Sequence, residues 1–227
     1  WNHALTYGRI RWSMGGRPGP VAEIVMAPLR TLHDSSGKSL APYEYDPDFS
    51  TYPKPFSHQA QWSGLQKAAQ SVRRRLHRHG CKKLLENAIV AYHMACSTHL
   101  PENAFLSLWT LLETLTGTHE GERLIQRTLF VISAKHSERC KWELQHLHRY
   151  RNCYVHRGET RSDVQRLVYQ LKLYVDVLLK WWICEFGRIT NKQEVFDLLD
   201  TPHDPKNIST RIQLLRHALK YRDVAGR

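Results

Sequence analysis

From about Gln59 onward, apolar residues recur at intervals of three and four, and this period confines the chain to amphipathic helices that pack side by side. The clearest stretch is Phe105, Leu108, Leu112 and Leu115, which defines one buried helical face. Candidate helices run from about Leu65 to His79, Lys82 to Ser97, Glu102 to Thr116, Glu120 to Ala134, Ser137 to Tyr154, Ser162 to Phe186, Lys192 to Leu199 and Ile208 to Tyr221. Gly80 separates the first two, Pro101 and Glu102 suit the first turn of the third, and Gly117 and Gly158 follow helical runs as C-terminal caps do. The longest stretch carries Leu167, Leu171, Tyr174, Val175, Leu178, Trp181 and Trp182, and is expected to be the spine of a bundle. There is no repeat of fixed period and no low-complexity segment.

Residues 1–58 follow a different rule. Gly15-Gly16, Pro18-Gly19-Pro20, Ser35-Ser36-Gly37 and four prolines between Pro42 and Pro55 break up short apolar runs such as Val21 to Met26, which is strand and turn chemistry. So short a piece can hardly bury a sheet alone. It is expected to be the tail of an upstream β-rich domain followed by a Pro/Tyr-rich linker from about Pro42 to Ser57, with a helical domain over residues 59–227. The chain opens on Trp1 with no secretory signal pattern, and reads as a fragment whose natural start has been lost.

The overall expectation is therefore a mainly α protein with a short β-rich N-terminal piece. The most apolar stretch, Leu171 to Phe186, is interrupted by Lys172, Asp176, Lys180 and Glu185, so no membrane-spanning helix is expected. Five cysteines, Cys81, Cys96, Cys140, Cys153 and Cys184, are an odd number and fall in the helical part, which suits a reducing cytoplasm better than a disulfide framework. Two groups, Cys140/His146/His148/Cys153 and His77/His79/Cys81, contain metal-ligand types. Neither has the paired spacings of a zinc module, and in a chain with 14 histidines such groups arise by chance, so no metal and no cofactor is expected.

Charge separates the two parts. Of the net +12, residues 1–58 contribute +1 (six Lys/Arg against five Asp/Glu) and residues 59–227 the remaining +11 (27 against 16). The densest run, Arg73-Arg74-Arg75-Leu76-His77-Arg78 followed by Lys82-Lys83, presents a concentrated positive field to a polyanion, although a short basic run alone is often only a solvated helix face. The net charge of the whole region turns the reading toward nucleic acid.

The stretch with most chemistry is His148-Arg149-Tyr150-Arg151-Asn152-Cys153-Tyr154-Val155-His156-Arg157-Gly158. On a helix, Arg149, Asn152 and His156 share a face, whereas Arg151 and His156 lie about 140° apart. Arg151 must then curl its side chain, or the last turn before Gly158 must loosen. The plainer reading is a cationic helix end interacting with its own dipole.

Arg151-Asn152-Cys153-Tyr154-Val155-His156 resembles the R-N-x-x-x-H motif of the HEPN superfamily, and the run from Phe105 to Leu115 resembles the "LWTxLE" helix of its ApeA-like branch. The resemblance covers about residues 65–186. It implies a helical bundle that dimerises through its motif helices, with residues 1–58 as the end of the β-rich region that precedes the domain and room for a sensor domain upstream in the full-length chain. Many such domains are endoribonucleases. Metal-free RNA cleavage needs activation of the ribose 2′-OH, charge stabilisation at phosphate and protonation of the leaving 5′-oxygen. His156 can exchange protons near neutral pH, Arg151 can grip a phosphate through parallel N–H donors, and Asn152 can orient His156 or bind substrate. Glu113, the lone acid in the run Leu111 to Leu115, is either an exposed helix residue or a partner for Arg151 or His156. Arg73, Arg74, Arg75, Arg78, Lys82, Lys83, Arg149 and Arg157 are the expected contacts to the RNA backbone, and a homodimer would bring two copies of His156 together.

The leading expectation is thus a metal-independent endoribonuclease, a toxin or anti-phage defence effector of the cytoplasm. A HEPN module without catalysis that dimerises and binds RNA or nucleotide is the alternative. A helical DNA-binding protein trails, because no helix-turn-helix with a distinct recognition helix is found.

Overall fold

The computed structural model describes residues 21–22, 29–45, 62–132, 136–184, 190–202 and 204–224. The protein is mainly α. Among the described residues, a hairpin of β1 (Leu29–His33) and β2 (Ser39–Tyr45) precedes α1 (Trp62–His77), α2 (Lys82–Ser97), α3 (Pro101–Thr116), α4 (Gly121–Phe130), α5 (Ser137–Arg157), α6 (Val164–Cys184), α7 (Lys192–Leu199) and α8 (Pro205–Val224).

The hairpin closes over the Ser35-Ser36-Gly37 turn. Asp34 accepts the Ser36 and Lys38 amides at 2.9 and 3.0 Å, and Gly37 supplies the positive φ of 85°. The strands are antiparallel with irregular register. Arg30 faces Glu44 and Leu32 faces Ala41, so one residue of β1 opposes Pro42 and Tyr43. A proline lacks the ladder donor, and a bulge is where a strand can hold one. Pro42 to Tyr45, expected to open the linker, belong to β2 instead, and the rest of the expected linker lies outside the described residues, as do most of the turn signals before Val21. Val21 and Ala22 are buried in the helical core, and the Ala22 amide donates to the Cys96 carbonyl at 2.9 Å, so this part of the N-terminal segment is packed on the helices.

The helices begin and end close to where period and punctuation place them. Gly117 and Gly158 both take the left-handed conformation and return their N–H groups to Glu113 and Tyr154. The expected ends at Ala134 and Phe186 lie outside the described residues. α3 packs most extensively on α6 and α2. The spine is therefore a pair, since α3 buries Phe105, Leu108, Trp109, Leu111, Leu112 and Leu115 as deeply as α6 buries Leu167, Leu171, Val175, Leu178 and Trp182.

Two of the charges that interrupt the apolar run of α6 are accommodated by pairing. Lys172 and Asp176, one turn apart and both buried, approach to 2.6 Å, and the Tyr92 hydroxyl donates to Asp176 at 2.6 Å. Burial beside this group pushes the Cys96 thiol up to about 12, which leaves it inert. No helix among the described residues is long and apolar enough to cross a membrane.

The C-terminal helices differ from each other. α7 is anchored: Arg127 of α4, itself buried, donates to Asp200 through Nε at 2.7 Å and Nη2 at 2.6 Å and lies over the Phe196 ring. α8 buries none of its described side chains, and Leu214, Leu215, Leu219 and Tyr221 are exposed.

Candidate active site

Glu113 is the pivot. One turn after Trp109 on α3, it is only 7% exposed, so its carboxylate must be satisfied from within the protein. Three donors converge on it. Trp109 Nε1–H reaches Oε1 at 2.8 Å, Arg151 Nη2 reaches the same oxygen at 3.4 Å, and His119 Nδ1 reaches Oε2 at 2.9 Å. Of the two expectations for Glu113, the structure shows the partner of Arg151; it is not an exposed helix residue.

Arg151 and Asn152 extend the network along α5. Arg151 Nη1 donates to Asn152 Oδ1 at 3.2 Å, which fixes which end of the amide is oxygen. Asn152 Nδ2 then faces His148 Nε2 at 3.3 Å, so that nitrogen accepts and the ring proton of neutral His148 sits on Nδ1. Orientation of His156 by Asn152 is thereby corrected. Side chains on a helix lean toward its N-terminus, and Asn152 reaches back one turn to His148.

His148 is built in on three sides. Its ring stacks on Trp109 with centroids 5.6 Å apart and planes 15° apart. On another side lies Gly121, the first residue of α4, where any Cβ would collide with the imidazole. Burial, chiefly, and the neighbouring Arg151 hold the His148 pKa below its ordinary value, against an opposing pull from Glu113.

His156 stands apart. α5 stays regularly helical through Arg157, so the last turn does not loosen, and His156 is exposed on a face well away from Arg151. Within one chain the two motif residues are not brought together. Arg149 and Arg157 are exposed on the same helix end, Arg157 within 3.5 Å of Glu159.

Arg73 and Arg74 on α1 and Arg78 just past its end are exposed, whereas Arg75 is half-buried and donates to the Cys184 carbonyl at the end of α6. Arg75 thus caps a helix C-terminus, where a cation is favoured. Lys82 and Lys83 are exposed at the start of α2, Lys82 within 3.8 Å of Glu86.

Among the described residues no three His, Cys, Asp or Glu side chains gather as a metal site would require. His79 shows why for one of the two groups: Nδ1 accepts the Cys81 amide at 2.9 Å, and Nε2 donates to the Trp182 carbonyl at 3.1 Å. An open depression of about 520 Å³ between α4 and the end of α7 is lined by Glu120, Glu122 and Asp200 with Arg123 alone in opposition, which does not suit a phosphate.

Two members of the site escape a reading of the motif alone. Trp109 is visible as the residue one turn before Glu113 on the same face, but His119 is signalled only by lying just past the Gly117 cap. Comparison of the chain with family models, with curated proteins and with solved structures gave no match in any of the three.

Proposed function

We propose that the helical region is a HEPN-type domain acting as a metal-independent endoribonuclease, a toxin or anti-phage effector that cleaves RNA by attack of the ribose 2′-OH on the adjacent phosphate. The observation that carries this reading is the preorganised Arg151. A buried carboxylate holds one edge of its guanidinium and a fixed amide another, and three of its five N–H donors remain for phosphate. An arginine held in this way stabilises charge developing on phosphorus with little reorganisation. The exposed Arg149 and Arg157 at the same helix end, Arg73 and Arg74 on α1, and Arg78 just past its end offer further positive charge to an RNA backbone.

His156 is the proton-transfer group of this reading. Because it does not share Arg151's face, it works on a phosphate held by Arg151 of a second copy, in a homodimer whose motif helices meet. The same separation favours the second reading, a HEPN module that dimerises and binds RNA without cutting it.

Incubation of the purified protein with RNA in EDTA distinguishes the two. Cleavage should leave a 2′,3′-cyclic phosphate and a free 5′-OH. His156→Ala and Arg151→Ala should each lower the rate by roughly 100-fold to 10,000-fold while remaining folded. A 2′-deoxy residue at the cut site must abolish cleavage. Efficient cutting of that substrate, or a strict need for added Mg²⁺ or Zn²⁺, would sink this mechanism, and binding without any cutting would leave the second reading.

A further inference from the structure

Cleavage through the 2′-OH requires two proton transfers, one from the attacking hydroxyl and one to the departing 5′-oxygen. Besides His156, only a histidine beside Arg151 with an unengaged ring nitrogen can supply the second from within the network. His148 does not qualify: its Nε2 is engaged by Asn152, and its ring is packed against Trp109 and Gly121.

His119 does qualify. It lies on the short loop between Gly117 and α4, its side chain 85% exposed, yet its Nδ1 is fixed at 2.9 Å from a carboxylate that is only 7% exposed. An ionised carboxylate can only accept, so Nδ1 carries the hydrogen and Nε2 points away from Glu113. Among the described residues nothing engages Nε2. A carboxylate behind an imidazole fixes its tautomer and orientation and stabilises its protonated form. The same carboxylate holds Arg151 on its other oxygen, so the phosphate-binding guanidinium and the imidazole are positioned by one group.

We propose that His119, aligned by buried Glu113, is the general acid that protonates the leaving 5′-oxygen of the phosphate held by Arg151. This rests on the ribonuclease reading above. As the 2′-oxygen bonds to phosphorus, the bond from phosphorus to the 5′-oxygen breaks and its electron pair goes to that oxygen. The proton on His119 Nε2 moves to it, while the 2′-OH proton passes to His156. His156 then releases its proton to solvent water and His119 takes one back from it, so both histidines regain their starting states within one turnover.

The test compares wild type, His119→Ala and His119→Gln in EDTA on two oligoribonucleotides. One has an ordinary phosphodiester, and in the other sulfur replaces the leaving 5′-oxygen. A thiolate leaves without protonation, so loss of a general acid is not felt on the sulfur substrate. On the oxygen substrate both variants should fall by about 100-fold to 10,000-fold, and on the sulfur substrate both should cut within a few-fold of wild type. Gln separates chemistry from structure, because its amide can still donate to Glu113 but cannot transfer a proton. Recovery of activity in His119→Gln, equal losses on both substrates, or full activity of His119→Ala on the oxygen substrate would each overturn the assignment of His119 and leave the ribonuclease reading standing. Failure of the wild type to cut either substrate would overturn both.

Discussion

The imidazole of His148 is the most environment-sensitive side chain of the site. It has the Trp109 indole and Glu113 of α3 on one side, Gly121 flanked by Glu120 and Glu122 on another, and Arg151 and Asn152 from its own helix. Protonation would convert Nε2 from acceptor to donor, expel the Asn152 amide and set a second cation beside Arg151. An NMR titration of the ring should therefore give a midpoint below the ordinary value of about 6.5. In Arg151→Ala the midpoint should rise but stay depressed, because burial contributes more than the guanidinium does. A midpoint at or above that of a free imidazole would show that the Asn152–His148 contact is not maintained. Since the folded pKa is lowered, the contribution to stability is present above about 6.5 and declines as pH falls through that region. At Arg151 itself, Lys should not restore activity, because an ammonium cannot span Glu113, Asn152 and a phosphate at once. An active Arg151→Lys would reduce the residue to a point charge.

At the scale of elements, the attachment of α7 to α4 rests on Asp200. It receives Arg127 through two nitrogens and Arg123 through Nη2 at 2.6 Å, and these partners hold its carboxyl well below the ordinary carboxylate range. Asp200→Asn leaves Arg127, buried at 3% exposure, without its counter-charge, which should cost about 3 kcal/mol in chemical denaturation. A depressed carboxylate stabilises the fold above its unfolded pKa and ceases to do so as pH falls through the folded value. The difference between this variant and wild type should therefore hold steady above pH ~5 and shrink below about pH 4. A constant difference down to pH 2 would assign the effect to something other than charge. Helix placement was legible in the sequence because it follows from local spacing and caps: Lys82, Ser97, Thr116, Lys192 and Leu199 all bound elements where the pattern puts them. The motif also pointed to Arg151 and Asn152. What local pattern does not encode is which direction a polar side chain turns. Arg75 turns to the end of α6 and Asn152 to His148, and Glu113 meets His119 only because Gly117 folds the chain back across the end of α3.

For the whole molecule, two expectations concern association. If copies pair through α5, light scattering at micromolar concentration should give a dimer, and charge reversal at Arg149 and Arg157 should weaken it; a monomer that cuts RNA at full rate would remove the second copy from the mechanism. If α1 tracks the RNA backbone, replacing Arg73, Arg74 and Arg78 by Gln should flatten the salt dependence of binding by up to about three charges in slope, while Arg75→Gln should act on stability instead. An unchanged slope would make the run a solvated face. The loop that carries His119 adds a temporal consequence. At Gly117 it has no Cβ because the Phe196 ring of α7 occupies that space, and at Gly121 because His148 of α5 does. Phe196 is synthesised after the helices that form the rest of the network. A nascent chain that has emerged as far as α6 has its arginine in place but not the ring that packs against this loop, so the surroundings of the loop that carries His119 are completed only once α7 has followed the bundle helices.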